Sequence, residues 1–257
     1  MTGTARLTTI GVFVPSDPQA QLSALIREGL ALQASGADVV DLDTLDIGRL
    51  RGPFADADDD TLALLVAGLV SVGIAVSVST DRPDTAGLAA EHGARWIIDP
   101  SGGTAVRLDP RVAESDCRLV IGPWGPPLPR SSVDLPGTYA ERVLRNAARL
   151  LDAGYASDRI CVDAGAGLGL DDPEPWRILN DLERLVTLGY PVLVPATEDL
   201  VDEMVAEESA EQRRDDAAIA IAALADGAGA WAVRTHRAGV VADVIRRMHA
   251  DPADIRG

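Results

Sequence analysis

Residues 159–170 read RICVDAGAGLGL, a short apolar run that ends in an aspartate and continues into a glycine-rich segment. The apolar part, 160–162, is typical of a strand that is buried on both faces of a parallel sheet. Burying the Asp163 carboxylate costs free energy unless that strand end meets water or a ligand. Gly165 and Gly167 carry no Cβ and leave room above it. The stretch predicts a ligand site at Asp163, with a strand-to-helix turn capped by the aspartate as the alternative.

The same alternation of strand, loop and helix repeats eight times along the chain. Alternating βα units predict parallel strands covered by helices, and eight of them favour a single-domain TIM (β/α)8 barrel of the α/β class over residues 1–257. The GAGLG at 165–169 lacks the GxGxxG spacing of a dinucleotide-binding loop. The predicted strands are 8–14, 38–43, 74–79, 95–99, 118–122, 159–163, 191–195 and 230–235. The predicted helices are 19–35, 59–72, 84–92, 107–114, 139–153, 174–188, 211–226 and 238–249.

The charge balance limits the classes of partner. The chain of 257 residues carries 40 acidic and 23 basic side chains, a formal net charge of −17. A nucleic-acid groove or an anionic membrane surface needs local positive charge, so neither partner is expected. All 23 basic residues are arginine, so no lysine serves as a base or a Schiff-base former.

Cysteine usage and hydropathy indicate the cellular setting. Cys117 and Cys161 lie in apolar runs and are expected as core residues, not as a disulfide or a metal pair. No apolar stretch reaches the ~20 residues of a membrane span, and the N-terminal sequence shows no signal-peptide pattern. We therefore expect a soluble, cytoplasmic protein without a structural metal.

Polar side chains mark the predicted strand ends, which open on one face of a barrel and should converge there. They are Asp41, Asp43, Ser79, Thr80, Asp99, Ser101, Asp163, Thr197, Arg234 and His236. Arg234 and His236 are two residues apart and point to the same side. An arginine beside a histidine indicates a site for a phosphate or carboxylate. A loop or capping histidine is the alternative interpretation of His236.

Several segments, in this order, resemble the dihydropteroate synthase family of pterin-binding barrels. The segments are GADVVDLD (36–43), VSVST (76–80), GARWIIDPSGG (93–103), VDAGAGLGL (162–170), LERLVTLGYPVLV (182–194) and VRTH (233–236). By this resemblance Asp163 receives the pterin, because two carboxylate acceptors complement the paired N–H groups of a 2-amino-4-oxopyrimidine. The expected pterin-binding residues are Asp163, Gly165, Gly167, Ser79 and Asp99.

The resemblance also implies an anion site, a cofactor and an assembly. Arg234 and His236 match the pair that contacts the pyrophosphate of the pterin substrate. Mg²⁺ accompanying that pyrophosphate is the implied cofactor. A homodimer is the implied assembly.

The chain departs from the family at positions that the family uses for chemistry. Val12 and Ile98 replace asparagines on the first and fourth strands, and Ser79 replaces an aspartate on the third. A Ser-Arg-Lys segment has become Thr197-Glu198-Asp199 in the acid-rich tract 198–216, which we expect to be a solvated helix. Acids in place of cations turn attraction for a leaving pyrophosphate into repulsion.

These departures leave the catalytic residues unassigned. We expect a divergent dihydropteroate synthase-like protein that binds a pterin, with weakened or lost condensation of hydroxymethyl-dihydropterin pyrophosphate with p-aminobenzoate. One alternative is an active synthase, in which the loop 43–52 holds the arylamine. The other is a barrel repurposed for a different small ligand.

Overall fold

The computed structural model describes residues 6–47, 50–122, 135–165, 175–204 and 211–250. Eight parallel strands in these ranges close into one barrel with helices around it, so the predicted (β/α)8 fold is confirmed. The barrel strands are β1 (Thr8–Val12), β2 (Val39–Asp43), β5 (Val76–Ser79), β6 (Trp96–Asp99), β7 (Arg118–Ile121), β8 (Ile160–Asp163), β9 (Val192–Ala196) and β10 (Ala232–Thr235). The predicted domain limits, residues 1 and 257, lie outside the described residues.

The barrel closes where β1 lies between β2 and β10. In register, Ile10 of β1 is opposite Val39 of β2 and Arg234 of β10. Residues distant in sequence therefore meet at this junction. The remaining strands follow the chain order around the barrel.

Side chains along each strand alternate between the barrel interior and the helices. In β2, Val39 belongs to the apolar cluster inside the barrel, whereas Val40 and Leu42 belong to the cluster under the helices. Asp41 has the parity of Val39 and points inward. In β6, Ile98 belongs to the inner cluster, so Asp99 has the opposite parity and faces the helices.

The floor of the barrel is apolar. Trp96 and Trp231 pack there with ring centroids 5.6 Å apart. Cys161 belongs to the inner cluster and Cys117 to the outer one, and both thiols are buried and free. The prediction that both cysteines are core residues is confirmed.

Helices cover the outside of the barrel. They are α1 (Leu22–Ser35), α2 (Asp59–Ser71), α3 (Pro83–Glu91), α4 (Thr104–Leu108), α5 (Pro110–Glu114), α6 (Leu135–Asp152), α7 (Pro175–Leu179), α8 (Leu182–Val186), α9 (Glu198–Met204), α10 (Glu211–Gly227) and α11 (Ala238–Met248). A 3₁₀ turn, Ser157–Arg159, precedes β8. Across the described ranges, none of these helices has both the length and the apolar character needed to cross a bilayer.

Two predicted helices are each divided in the structure. The predicted helix 107–114 breaks at Asp109, because Pro110 lacks the N–H needed to continue α4 and instead begins α5. The predicted helix 174–188 breaks at Asp181, the residue that precedes α8. Aspartate favours helix starts over helix interiors.

The segment after β2 forms a small hairpin that the sequence did not predict. Strands β3 (Asp46–Ile47) and β4 (Leu50–Arg51) pair antiparallel, with Asp46 opposite Arg51. Gly52 then donates its N–H to the Leu45 carbonyl at 2.8 Å. The hairpin places Arg51 and Gly52 beside the carboxyl ends of the barrel strands.

Candidate functional site

A pocket opens at the carboxyl ends of β2, β8, β9 and β10. Its empty volume, counted together with the open solvent at its entrance, is about 480 Å³. The lining residues are Asp43, Leu45, Arg51, Gly52, Pro53, Asp163, Pro195, Thr197, Arg234 and His236. The structure thus brings Asp163, Arg234 and His236 to one mouth, as the strand-end pattern predicts.

Arg234 is held by two carboxylates of β2. Its Nε donates to Asp41 Oδ2 at 2.8 Å, and one terminal nitrogen donates to Asp43 Oδ2 at 2.6 Å. Burial opposes the charge, but Asp41 and Asp43 together raise the pKa of Arg234 above its ordinary value. Hydroxyls of Ser77 and Ser79 donate to the two Asp41 oxygens at 2.7 and 2.9 Å. The arginine expected to receive an anion is therefore already part of a buried ion-pair network.

Asp163 presents a half-satisfied carboxylate to the pocket. Its side chain is almost fully buried, and Oδ1 accepts the Gly165 N–H at 2.6 Å. Gly165 adopts a positive φ of 59°, which favours glycine and brings this N–H close. Within the described ranges, Oδ2 has no hydrogen-bond partner. Burial raises the pKa of Asp163 to about 6, against the smaller lowering effects of Gly165 and Arg234.

His236 is fixed in a neutral form. The backbone N–H of Glu198 donates to its Nδ1 at 3.1 Å, so the ring proton resides on Nε2. Burial, followed by the charge of Arg234, lowers the pKa of His236 to about 4. At neutral pH the histidine offers the mouth a neutral N–H donor.

The acid-rich tract forms helices that pair with arginines of the same chain. Glu198 at the start of α9 contacts Arg237 at 3.2 Å, and Asp215 of α10 contacts the same guanidinium at 3.2 Å. Glu211 also binds Arg237. The prediction of helix in this tract holds for α9 and α10, while 205–210 lies outside the described residues.

The remaining predicted site residues have other surroundings. Ser79 lies beneath the pocket, bound to Asp41. Asp99 accepts backbone N–H groups of Ser101 at 2.7 Å and Val106 at 3.2 Å, so it organises the loop that leads into α4. Gly167 lies outside the described residues.

Two further residues near the mouth were missed by sequence reasoning. Arg51 donates to Asp46 at 2.5 Å and to Asp56 at 2.6 Å. Both aspartates are five residues from Arg51 in sequence, and this spacing alone does not predict an ion pair. Tyr139 of α6 is fully buried, and its hydroxyl has no hydrogen-bond partner within the described ranges. Burial, followed by the Asp163 charge, raises the pKa of Tyr139. No residue pattern in its segment links it to β8.

We expect Gly52→Ala to damage the mouth. A Cβ at residue 52 would lie 2.3 Å from the Asp43 carbonyl oxygen and 2.4 Å from Asp43 Oδ1, so the backbone must shift. The expected cost is about 1–3 kcal/mol of unfolding free energy, measured by urea denaturation. Gly227→Ala is the control, because nothing lies within 4 Å of its added Cβ. Equal stabilities of the two variants would contradict the close approach.

The described residues do not fit a protein-built magnesium site. No group of three or more histidine, cysteine, aspartate or glutamate side chains within them is placed to hold a metal ion. Asp41 and Asp43, the carboxylates paired at the mouth, both bind Arg234. We therefore assign no chemical step to Mg²⁺.

A closed (β/α)8 barrel with a pocket at the carboxyl ends of its strands is typical of barrel proteins that bind small molecules. A model of the pterin binding enzyme family matches residues 16–236. The chain belongs to this family, which confirms the resemblance noted in its sequence.

Individual relatives support the assignment. The dihydropteroate synthase of Mycobacterium leprae (strain TN) is 31% identical over 249 residues, which cover 88% of this chain and 86% of the relative. The inactive dihydropteroate synthase 2 of the same organism is 30% identical over 237 residues, which cover 87% and 79%. A solved Xanthomonas albilineans dihydropteroate synthase, in complex with 7,8-dihydropteroate, is 22% identical with a TM-score of 0.78, covering 97% of this chain and 96% of that one. The last comparison supports the fold.

Proposed function

We propose that the protein binds a pterin-like small molecule through Asp163 and is a divergent dihydropteroate synthase-like member of the folate biosynthesis family. The observation that carries this proposal is the free Oδ2 of an almost fully buried carboxylate that lines the pocket. This oxygen faces the pocket, and a ligand with N–H donors can bind it there through charge-assisted hydrogen bonds. The 2-amino-4-oxopyrimidine edge of a pterin has such donors.

The surroundings of Asp163 suit a heterocycle with both donors and acceptors. His236 supplies a neutral N–H, and the Thr197 hydroxyl both donates and accepts. Leu45 and Pro195 supply apolar contacts for a ring. These side chains support a neutral, planar ligand at the mouth.

Condensation of hydroxymethyl-dihydropterin pyrophosphate with p-aminobenzoate is proposed to be weakened or lost. Arg234 is committed to Asp41 and Asp43, so its positive charge is already compensated. Glu198 begins α9 beside His236 at the rim. One relative of 30% identity is itself named inactive.

An active synthase is the second candidate function. The observation that favours it is the 31% identity to the dihydropteroate synthase of Mycobacterium leprae. In that case Mg²⁺ accompanies the substrate pyrophosphate. A barrel adapted to another small ligand is the third candidate. A cytoplasmic homodimer is proposed for all three.

Calorimetric titration with 6-hydroxymethylpterin tests the proposal. We expect binding that Asp163→Asn largely removes, because an amide oxygen carries no negative charge for the ligand donors. Product formation from the pterin pyrophosphate and p-aminobenzoate then separates the first two candidates. Absence of binding that depends on Asp163 would overturn both pterin-based functions.

The affinity for this neutral pterin is expected to depend on pH. Ionised Asp163 presents Oδ2 as an acceptor to the ligand, whereas protonation there makes it a donor, and burial raises the pKa of Asp163 to about 6. Affinity should therefore rise from pH 5 to pH 7 and then level off. The Kd at pH 5 should be about tenfold higher than its plateau value. Calorimetry in two buffers of different ionisation enthalpy should show proton release near pH 6. A flat profile between pH 5 and pH 7 would contradict the role of Asp163.

A further inference from the structure

We propose that this mouth selects a phosphate-free heterocycle, neutral or cationic and rich in N–H donors, and rejects the phosphorylated form of the same molecule. The inference rests on the proposed pterin site and specifies the class of ligand that the site accepts. It follows from the arrangement of charges around the pocket.

Both arginines that line the pocket are already paired with two aspartates each. Arg234 binds Asp41 and Asp43, and Arg51 binds two aspartates of the hairpin segment. Asp163 adds a further carboxylate that no cation contacts within the described residues. Four carboxylates thus compensate the two guanidinium groups, and Asp163 adds a fifth at the pocket, so this set of seven groups has a net negative charge.

The described cation next to the rim histidine is also paired with carboxylates. His236 is neutral, since the Glu198 N–H occupies its Nδ1. Arg237, which lies next to His236, contacts three carboxylates of α9 and α10.

The buried part of this arrangement matters most for an incoming anion. Arg234 keeps N–H groups beyond those bound to aspartates, but a phosphate that reaches them also approaches Asp43 and Asp163. These carboxylates are almost fully buried, so water and salt screen them less than exposed charges. A donor-rich ring meets the free Oδ2 of Asp163 without this repulsion.

The test compares 6-hydroxymethylpterin with its diphosphate ester by calorimetry at pH 7.5. In 20 mM NaCl we expect the ester to bind at least tenfold more weakly than the neutral pterin. The difference should shrink in 300 mM NaCl, because salt screens the exposed part of the repulsion. Inorganic pyrophosphate alone should give no detectable binding.

A variant that leaves one arginine without its carboxylate partners tests whether the pairing of the arginines weakens binding of the ester. Asp46→Asn with Asp56→Asn releases the exposed Arg51 guanidinium without disturbing buried groups. This double variant should bind the diphosphate ester several-fold more tightly and the neutral pterin unchanged. Asp152→Asn with Asp158→Asn is the matched control, because it removes the same charge from exposed sites near the amino end of β8, opposite the mouth.

The outcomes separate this inference from the proposed function. Equal or tighter binding of the ester, with the neutral pterin still bound through Asp163, would overturn the inference alone. Binding of inorganic pyrophosphate by the unmodified protein would also overturn it. Failure of the neutral pterin to bind would overturn the proposed function and the inference together. An equal gain in ester affinity from the control variant would exclude a local role for Arg51.

Discussion

Replacing Arg234 by methionine is expected to lower the free energy of unfolding by about 3–5 kcal/mol and the melting temperature by roughly 10 °C. The change leaves Asp41 and Asp43 buried without their cation, while methionine fills much of the arginine volume. Burial already raises the pKa of Asp41, so this carboxyl is expected to take up a proton in the variant. Because the folded variant then binds the proton more tightly than the unfolded chain, the loss should deepen as the pH rises.

Thermal unfolding of two further variants tests whether the loss of stability comes from the buried ion pairs of Arg234. Asp41→Asn combined with Arg234→Met should lose less stability than the sum of the single changes, since Asp41 is then no longer a buried charge without its cation and only Asp43 is. Arg51→Met is the matched control, because Arg51 also bridges two aspartates but lies exposed. Its melting temperature should change far less. Similar losses in Arg51→Met and Arg234→Met would contradict the importance of the buried network.

Asp163→Asn is expected to stabilise the protein while it removes ligand binding. The pKa of Asp163 is about 6 in the folded protein, against an ordinary value of 3.8. The folded state therefore binds the proton more tightly, and stability falls as the pH rises from about 4 to about 6. Above that range the ionised carboxylate costs up to about 3 kcal/mol, which asparagine does not incur. The gain should be large at pH 8 and small at pH 4.

Denaturation at several pH values measures this gain. Asp58→Ala is a control of opposite sign, because Asp58 caps α2 and the Thr61 N–H lowers the pKa of its carboxyl. Its stabilising effect is present at neutral pH and is lost as the pH falls through its folded-state pKa. Asp58→Ala should therefore cost most at neutral pH. If Asp163→Asn gave the same stability change at pH 4 and pH 8, the raised pKa of Asp163 would be contradicted.

The sequence predicted the barrel because its strands and helices follow simple periods. It also predicted that Asp163, Arg234 and His236 meet at the mouth, since barrel strands end on one face. The pairing of Arg234 with Asp41 was not predictable in this way, because 193 positions separate the two residues in sequence. Only barrel closure around β1 brings them together.

The sequence also did not predict whether each strand-end residue points into the barrel or toward the helices. Asp99 ends its strand, as Asp163 does, and both were expected at the ligand. In β6, however, Ile98 takes the inner position, so Asp99 faces α4 and binds backbone N–H groups there. The hairpin that carries Arg51 was also missed, since two-residue strands leave almost no periodic signal.

The network of Arg234 joins the second strand of the barrel to its last one. During synthesis, Asp41 and Asp43 emerge from the ribosome nearly 200 residues before the arginine that neutralises them. A nascent chain or proteolytic fragment that stops before β10 has these two carboxylates without their cation. Burying them in that state costs free energy, so an incomplete barrel gains less from closing. The ion pair thus discourages a truncated chain from adopting a native-like but unfinished form.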